Sequence, residues 1–503
     1  MATGQMRYTI TDRVARRALI AILALYLLLG LQFAFGTPLW QVPDEPAHYT
    51  YVQHIAENGR LPELREGDYP HDYLEAAKSV RFADTDISPI RYESHQPPLY
   101  YLLMTPVYLA AQAVGWHPAY AIRVVSLLLG GVALLLGYHV ARRIFPRDPR
   151  IALGATALAA VLPMHLTMVA AVNNDVLAEL MIAAVALQLV APSAQRWTWR
   201  RAVLLGLTLG LAALTKLQSY VAFALVAAAL AWDASSRRQR DGALRPMRAL
   251  ALGAVMLGIA IVVVAPWLLR NASLYGWGDL LGLQRHDQVV VGQLTTGEFL
   301  RANGVRALLV GFLRTSFQSF WGQFGWMGVV LHPRVYLVAA LLCGLVVVGA
   351  AAALWRMFRA RVSLEASQVR GVFLLAVWGL VTLAGYLWWN VSYVQHQGRY
   401  LFPALVPLGA AFAIGLRELF TGSPKLPLGV LAAALLILAA EALLGGDLRA
   451  FATALVVGAA CLLLVANWCE RRAPGAMMAC TYLGIAAFGL YCLYGYVIPL
   501  LSP

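Results

Sequence analysis

The chain has 503 residues, of which 60% are hydrophobic and only 13% charged, and its formal net charge at pH 7 is +14. Soluble domains carry about 25% charged residues, so this composition excludes a water-soluble globular fold. Apolar runs close to the roughly 20 residues that cross the hydrocarbon core of a bilayer as a helix recur from end to end. We count about 13 of them, including residues 18–38, 335–355 and 476–499. The sequence therefore predicts an all-α, polytopic transmembrane helical bundle.

The positive charge is unevenly distributed along the chain. Residues 39–97 carry a net charge of −6, whereas the remainder carries +20. The excess arginines lie in short links between apolar segments, as they do in the cytoplasmic loops of membrane proteins. The charge is thus explained without binding to nucleic acid, and no nucleic-acid partner is expected.

The basic clusters also predict the orientation of the bundle. They comprise Arg7, Arg13, Arg16, Arg17, Arg142, Arg143, Arg147, Arg150, Arg196, Arg200, Arg201, Arg471, Arg472 and the ranges 237–248 and 356–370. If these residues are cytoplasmic, two large loops, residues 39–97 and 271–333, lie on the opposite side. The first apolar segment lacks a small-residue cleavage site and is expected to be a retained anchor. Residues 202–232 become two short passes joined by an outward turn at Thr215 and Lys216.

One apolar segment is expected not to cross the membrane as a straight helix. Two segments, residues 98–114 and 122–141, separate a loop outside from a basic cluster inside, which is one crossing too many. The first is short and contains Pro106, which removes a helical hydrogen bond. We expect a bent or re-entrant element there.

The first large loop opens with the signals of an amphipathic helix. The stretch from Asp44 to Gly59 begins with two acidic residues and a proline and ends with glycine. These residues favour the start and the end of a helix, here of about three turns. Its apolar stripe, formed by Tyr51, Val52 and Ile55, is expected to lie along the membrane surface. Juxtamembrane helices of this kind are predicted in both large loops.

Several ionisable side chains stand near the predicted outer boundary. A carboxylate at Asp44 or Glu45 could take a proton from an incoming hydroxyl or contact a metal, although an acidic helix cap is the simpler interpretation. Asp175 and Lys216 interrupt apolar spans, where ionisable groups usually face a cavity or a partner. The fork of Arg399 suits an anionic headgroup, and snorkelling at a helix end is the alternative.

The order of the motifs resembles that of a known superfamily. The motifs are Pro43-Asp44-Glu45-Pro46-Ala47-His48-Tyr49, His95-Gln96-Pro97-Pro98-Leu99-Tyr100-Tyr101, Asn174-Asp175, Thr215-Lys216 and Gly398-Arg399-Tyr400-Leu401-Phe402-Pro403. From residue 18 to about residue 415 the chain resembles the GT-C integral membrane glycosyltransferases. It is most similar to bacterial relatives of protein O-mannosyltransferases and of the lipid A aminoarabinose transferase.

The resemblance implies transfer of a sugar from a polyprenyl-phosphate donor to an acceptor glycan, lipid or protein. The reaction is expected at the non-cytoplasmic face of a bacterial inner membrane. Asp44 would be the general base, with Glu45 beside it. Residues implied in donor binding are His48, His95, Gln96, Asn174, Asp175, Lys216, Arg399 and Tyr400. A divalent metal is a further expectation, with Glu45, His95 and His286 as its ligands.

The resemblance also divides the chain and marks one departure. Residues 1–415 are expected to form the catalytic module, and residues 416–503 further transmembrane helices. Relatives of the aminoarabinose transferase type carry a lysine where this chain has Gln96, so the phosphate contacts at that position are expected to differ. Two alternatives stay open: a transporter or flippase for a lipid-linked saccharide, and a polymerase or ligase that uses a diphosphate-linked donor.

Overall fold

The computed structural model describes residues 11–190, 197–235, 245–360, 364–443 and 449–503. Arg7, Arg196 and residues 237–244 and 361–363, which contributed to the predicted orientation, lie outside the described residues. The α-helices of the described part are α1 (Asp12–Gly36), α2 (Glu45–Asn58), α3 (His71–Ser79), α4 (Leu99–Ala113), α5 (Pro118–Ile144), α6 (Pro149–Val161), α7 (Pro163–Val169), α8 (Asp175–Val190), α9 (Trp199–Ala213), α10 (Val221–Ser235), α11 (Pro246–Tyr275), α12 (Leu283–Val289), α13 (Thr296–Trp321), α14 (Pro333–Arg359), α15 (Ala366–Ser392), α16 (Leu405–Thr421), α17 (Lys425–Leu443), α18 (Ala450–Arg472), α19 (Ala476–Cys492) and α20 (Ile498–Leu501).

The remaining regular structure is short. Helical turns of 3₁₀ type cover Tyr92–His95, Leu217–Tyr220 and Gly398–Ala404, and a π-helical turn covers Leu493–Val497. Two strands, β1 (Gln323–Phe324) and β2 (Val329–Val330), form an antiparallel hairpin. The predicted all-α fold class is therefore confirmed.

Among the described residues, ten helices are long and apolar enough to cross a membrane, or up to eleven spans if one bent pair counts as a single span. The chain is an integral membrane protein. The predicted count of about 13 segments is not confirmed. Helices α4, α8 and α9 have only 15 or 16 residues. At 1.5 Å per residue they reach roughly 24 Å or less, short of a hydrocarbon core of about 30 Å.

The break in the bundle lies at a different proline from the one predicted. Helix α4 continues through Pro106 without interruption. Instead, α6 and α7 meet at an angle of 68° on either side of Leu162. The predicted turn at Thr215 and Lys216 is confirmed, because α9 ends at Ala213 and a 3₁₀ turn starts at residue 217.

Helix α2 follows its sequence signals but faces another partner. It covers Glu45–Asn58 and ends at Gly59, whose φ of 64° favours glycine. Its apolar stripe is buried in protein, and the ring of Tyr51 stacks on Tyr101 of α4 at 3.7 Å between centroids. The prediction that this stripe lies on the membrane surface is wrong. Periodicity defines an apolar face, but it does not tell whether lipid or another helix covers that face.

The basic clusters and the first large loop can be located relative to helix α5. Helix α5 carries Arg123 near its start and Arg142 near its end, roughly 28 Å apart at 1.5 Å per residue. At the Arg142 end, arginines from the basic clusters meet acidic partners, in the pairs Arg142–Asp12, Arg370–Asp233 and Arg147–Glu365. At the Arg123 end, the guanidinium binds Glu45 of the first large loop. The basic clusters and that loop thus occupy opposite ends of α5.

Candidate active site

Asp44 occupies the position before α2 but does not cap the helix with its side chain. Its φ of 70° is a left-handed conformation that costs non-glycine residues roughly 1–2 kcal/mol, and that aspartate tolerates better than most. The carboxylate instead receives two hydrogen bonds from other parts of the chain. Arg399 Nη2 donates to Oδ2 at 2.8 Å, and the Tyr92 hydroxyl donates to Oδ1 at 2.9 Å. A simple helix cap therefore does not describe Asp44.

Glu45, the next residue, is directed into the interior and is completely buried. Arg123 donates to both carboxylate oxygens, from Nε at 2.7 Å and from Nη2 at 2.6 Å. The backbone N–H groups of Trp40 and Val172 supply two more hydrogen bonds. Because four donors saturate this carboxylate, Glu45 is a structural anchor. The expectation that it assists Asp44 or binds a metal is corrected.

Asp175 and Lys216 form a second ion pair near Asp44, with Lys216 Nζ 2.5 Å from Asp175 Oδ1. Both side chains remain about one fifth exposed, at 20% and 17%. Asn174 holds this region together, since its Nδ2 donates to the Thr215 carbonyl at 3.1 Å and to Gln96 Oε1 at 3.4 Å. The polar break before α8 thus links the loop that precedes α4 to the turn that carries Lys216.

Arg399 is fixed by its neighbours yet retains donor capacity. Gly398 approaches the backbone of α13 so closely that a Cβ atom there would collide with it. The guanidinium of Arg399 lies 5.4 Å from the centre of the Tyr400 ring, and Nη1 touches Met168 Sδ at 3.8 Å. Its buried Nε has no hydrogen-bond partner among the described residues. Arg399 can therefore bind Asp44 and an anion together.

His48 interacts electrostatically with both ion pairs and is 1% exposed. Its Nδ1 is 2.8 Å from the Tyr101 hydroxyl. Burial lowers the pKa of His48 to about 3, because the charged imidazolium loses hydration. The charged groups that act on this ring are Lys216, Asp44, Asp175 and Arg399. The structure therefore brings the predicted base, Asp44, together with the three charged residues predicted to bind the donor, and His48 is neutral among them.

The basicity of Asp44 depends on Arg399. Burial is the largest single influence and by itself would raise the pKa of this carboxyl, but Arg399, His48 and Tyr92 together outweigh it, and the positive charge of Arg399 is the largest of their contributions. The pKa of Asp44 therefore falls to about 2. Asp44 is thus ionised at physiological pH but remains a weak base while Arg399 is paired only with it.

The three predicted metal ligands do not come together in one group, although two of them are neighbours. The rings of His95 and His286 lie 4.6 Å apart between centroids, and His95 Nδ1 is 3.1 Å from the Tyr92 carbonyl oxygen. Burial lowers the pKa of His95 well below its usual value. Glu45 is bound elsewhere, to Arg123. Within the described ranges no group of three or more His, Cys, Asp or Glu residues is arranged to hold a metal ion, so the residues present do not fit the expected metal site.

Comparison with known sequences identifies a family. The family model described as "Predicted membrane protein (DUF2142)" matches residues 72–408. The chain belongs to this family. No curated protein sequence matches the DUF2142 chain.

Solved structures show what fold the DUF2142 chain has. ArnT from Cupriavidus metallidurans bound to undecaprenyl phosphate is 16% identical with a TM-score of 0.52, and the alignment covers 96% of this chain and 76% of ArnT. The Archaeoglobus fulgidus oligosaccharyltransferase tethered to an acceptor peptide is 14% identical with a TM-score of 0.46. That alignment covers 93% of this chain and 55% of the archaeal protein. The chain thus spans about half the length of that archaeal protein. The predicted resemblance to the GT-C superfamily is confirmed at the level of the fold, on the match to ArnT.

The DUF2142 chain has further site residues that the sequence analysis did not single out. Arg123 lies at the start of the apolar segment 122–141 and met the same criterion of an ionisable group at membrane depth that identified Asp175. Glu93 precedes His95 by two residues and is 9% exposed. Its Oε2 has no hydrogen-bond partner among the described residues. Burial and the nearby charge of Asp44 raise the pKa of Glu93 to about 7.

Proposed function

We propose that the chain is a membrane glycosyltransferase that moves a sugar from a polyprenyl-phosphate donor to an acceptor, with Asp44 as the general base. The reaction would take place at the non-cytoplasmic face of a bacterial inner membrane. The observation that carries the proposal is the meeting at His48 of two ion pairs with partly exposed carboxylates, Asp44–Arg399 and Asp175–Lys216. They lie at the end of the bundle opposite the basic clusters, which supports this orientation. All of these residues belong to the predicted catalytic module, residues 1–415.

The cations of the site suit the phosphate of the donor. Arg399 can offer Nε and Nη1 to phosphate oxygens while Nη2 stays on Asp44. Lys216 adds a second positive charge that acts on His48. When the bond between the sugar and the phosphate breaks, negative charge grows on the leaving phosphate, and fixed cations stabilise that charge most in the transition state. Gln96, held against Asn174, would contribute a neutral donor where relatives have lysine.

Binding of the donor would also strengthen the base. A phosphate on Arg399 neutralises part of its charge, which weakens the effect that keeps the pKa of Asp44 near 2. Asp44 would then accept the proton of the acceptor's hydroxyl or amine more readily. The acceptor atom forms a bond to the anomeric carbon as the carbon–oxygen bond to phosphate breaks, and the electron pair leaves with the phosphate. One displacement of this kind inverts the anomeric centre.

The proposal is tested by identifying the lipid and the reaction together. We expect mass spectrometry of the purified full-length protein to detect bound polyprenyl phosphate. We expect sugar transfer from an undecaprenyl-phosphate-linked donor to exceed transfer from the corresponding diphosphate. Preference for the diphosphate would instead indicate a polymerase or ligase. Movement of the lipid-linked sugar across the membrane of vesicles, without transfer of the sugar to an acceptor, would indicate a flippase.

A further inference from the structure

A polar cavity of about 400 Å³ lies where the two large loops meet. Its volume is within the roughly 300–1,000 Å³ typical of small-molecule sites. The first loop, the end of α11 and the segment through α12 each contribute to its lining. Lining residues include Glu63, Arg65, Tyr275, Asp279, Gln284 and Arg285. None of them belongs to the proposed donor site.

Hydrogen bonds between the two loops hold the walls of the cavity in place. The backbone N–H of Leu64 donates to the Tyr275 hydroxyl at 2.9 Å, and Arg285 Nε donates to the Leu64 carbonyl at 3.1 Å. Asp279 is 5% exposed, and its carboxylate accepts the backbone N–H of Arg285 at 2.7 Å. The polar groups of the cavity are therefore positioned before any ligand arrives, which reduces the entropy lost on binding.

The charges of the lining indicate which ligand fits. Two acidic residues, Glu63 and Asp279, balance two basic ones, Arg65 and Arg285, and Arg65 lies 2.8 Å from Glu63. A lining without net charge favours neither an anion nor a cation. Carboxylate, guanidinium, amide and phenol groups together offer both donors and acceptors. A neutral molecule with several hydroxyl groups can use both kinds.

Helix α12 separates this cavity from the candidate active site. Gln284 and Arg285 of α12 line the cavity, whereas His286 of the same helix packs on His95. Before α12, Gly282 has a φ of 72°, and a Cβ atom added to it would lie 3.2 Å from the Cβ of His95. The cavity therefore adjoins the reaction site proposed above, away from the cations assigned to the donor phosphate.

From these contacts we infer that the cavity is a binding subsite for a neutral, polyhydroxylated part of the acceptor, that is, a sugar unit. This inference rests on the proposed function, because only a transferase has an acceptor. The binding of a neutral sugar in the cavity can be measured without any transfer reaction.

The experiment fills the cavity by enlarging one exposed side chain of its lining. In Gln284→Trp, the new side chain should fill the cavity without disturbing the core, because Gln284 is exposed. The matched control is Asn303→Trp, at an exposed position of α13 outside the lining. Saturation-transfer NMR on the full-length protein in detergent would use maltose, glucuronate and glucosamine as neutral, anionic and cationic probes. We expect maltose to bind best of the three probes. It should bind at least about tenfold more weakly to Gln284→Trp than to the unmodified protein, and equally well to Asn303→Trp.

Equal binding of maltose to Gln284→Trp, no binding to the unmodified protein, or stronger binding of a charged probe would each overturn the inference. Bound polyprenyl phosphate is measured in the same samples. If that lipid is absent while maltose binds in the cavity, the proposed donor is wrong and the sugar subsite stands. If the lipid is present and maltose does not bind, only the subsite is wrong.

Discussion

Asp44 and Glu45 are consecutive carboxylates that pair with arginines, yet their surroundings are opposite. The Glu45–Arg123 pair has no exposed surface, and four donors saturate the carboxylate. In the Asp44–Arg399 pair, the acid is 26% exposed and the arginine keeps Nε without a partner in the described part of the chain. The first pair, which we call the closed pair, attaches the large loop to α5. The second pair, the open pair, can still engage a ligand. Asp44 has a left-handed backbone, whereas Glu45 is the first residue of α2.

The largest effect is expected from breaking the closed pair. Arg123→Leu leaves the Glu45 carboxylate buried without its partner, which should reduce the free energy of unfolding by about 3–5 kcal/mol. Thermal unfolding in detergent would measure the loss. Adding Glu45→Gln to the same variant should recover part of it, because the amide oxygen is neutral and can still accept hydrogen bonds. An unchanged unfolding temperature in Arg123→Leu would contradict the structural role of this pair.

The second effect separates reactivity from stability at the open pair. Asp44→Asn should lower sugar transfer by about 10²–10⁴-fold, the usual contribution of a general base, so that transfer is effectively abolished. The protein should remain folded in the membrane, since Asp44 is partly exposed. Asp72→Asn, a fully exposed carboxylate of the same loop, is the control and should keep full activity. Full activity in purified Asp44→Asn would rule out Asp44 as the base.

A smaller effect is expected when the geometry of the open pair changes but its charge does not. Arg399→Lys keeps the cation and loses the planar fork, so the retained polyprenyl phosphate should be bound about tenfold to a hundredfold more weakly. Quantitative lipid analysis of purified protein would measure this change. Arg417→Lys alters an arginine that pairs with Asp148 at the other end of the bundle, and it should retain the lipid. Equal loss in both variants would point to general destabilisation.

The smallest effect concerns pH and Glu93, which lies beside the open pair. Its pKa rises from 4.5 to about 7 in the folded protein, so the folded state holds this proton more tightly than the unfolded state. The stabilising contribution of protonated Glu93 is present in full below pH 4.5 and is lost as pH rises through about 7. Glu93→Gln cannot ionise and should unfold at temperatures that vary less between these pH values. Identical pH dependence in both proteins would exclude this shift.

Local sequence features determined much of the fold. Apolar segments of membrane length predicted the bundle, and the acidic residues, proline and glycine around α2 predicted its start and its end. The basic clusters on both sides of residues 202–232 predicted a turn at Thr215 and Lys216. These results follow from residues near one another in the chain, where hydrogen bonding and periodicity are decided locally. The motifs also marked the charged residues of the candidate site, although not their partners.

Only the tertiary structure decided which charges meet. Arg399 reaches Asp44 across 355 positions of the chain, and Arg123 reaches Glu45 across 78. No local pattern distinguishes a carboxylate saturated by four donors from its neighbour that stays open. The same reason explains the stripe of α2, whose apolar face is visible in the sequence while its cover, Tyr101 on α4, is not. The sequence by itself determined which side chains could carry the chemistry, and packing between distant segments decided which of them remain available for it.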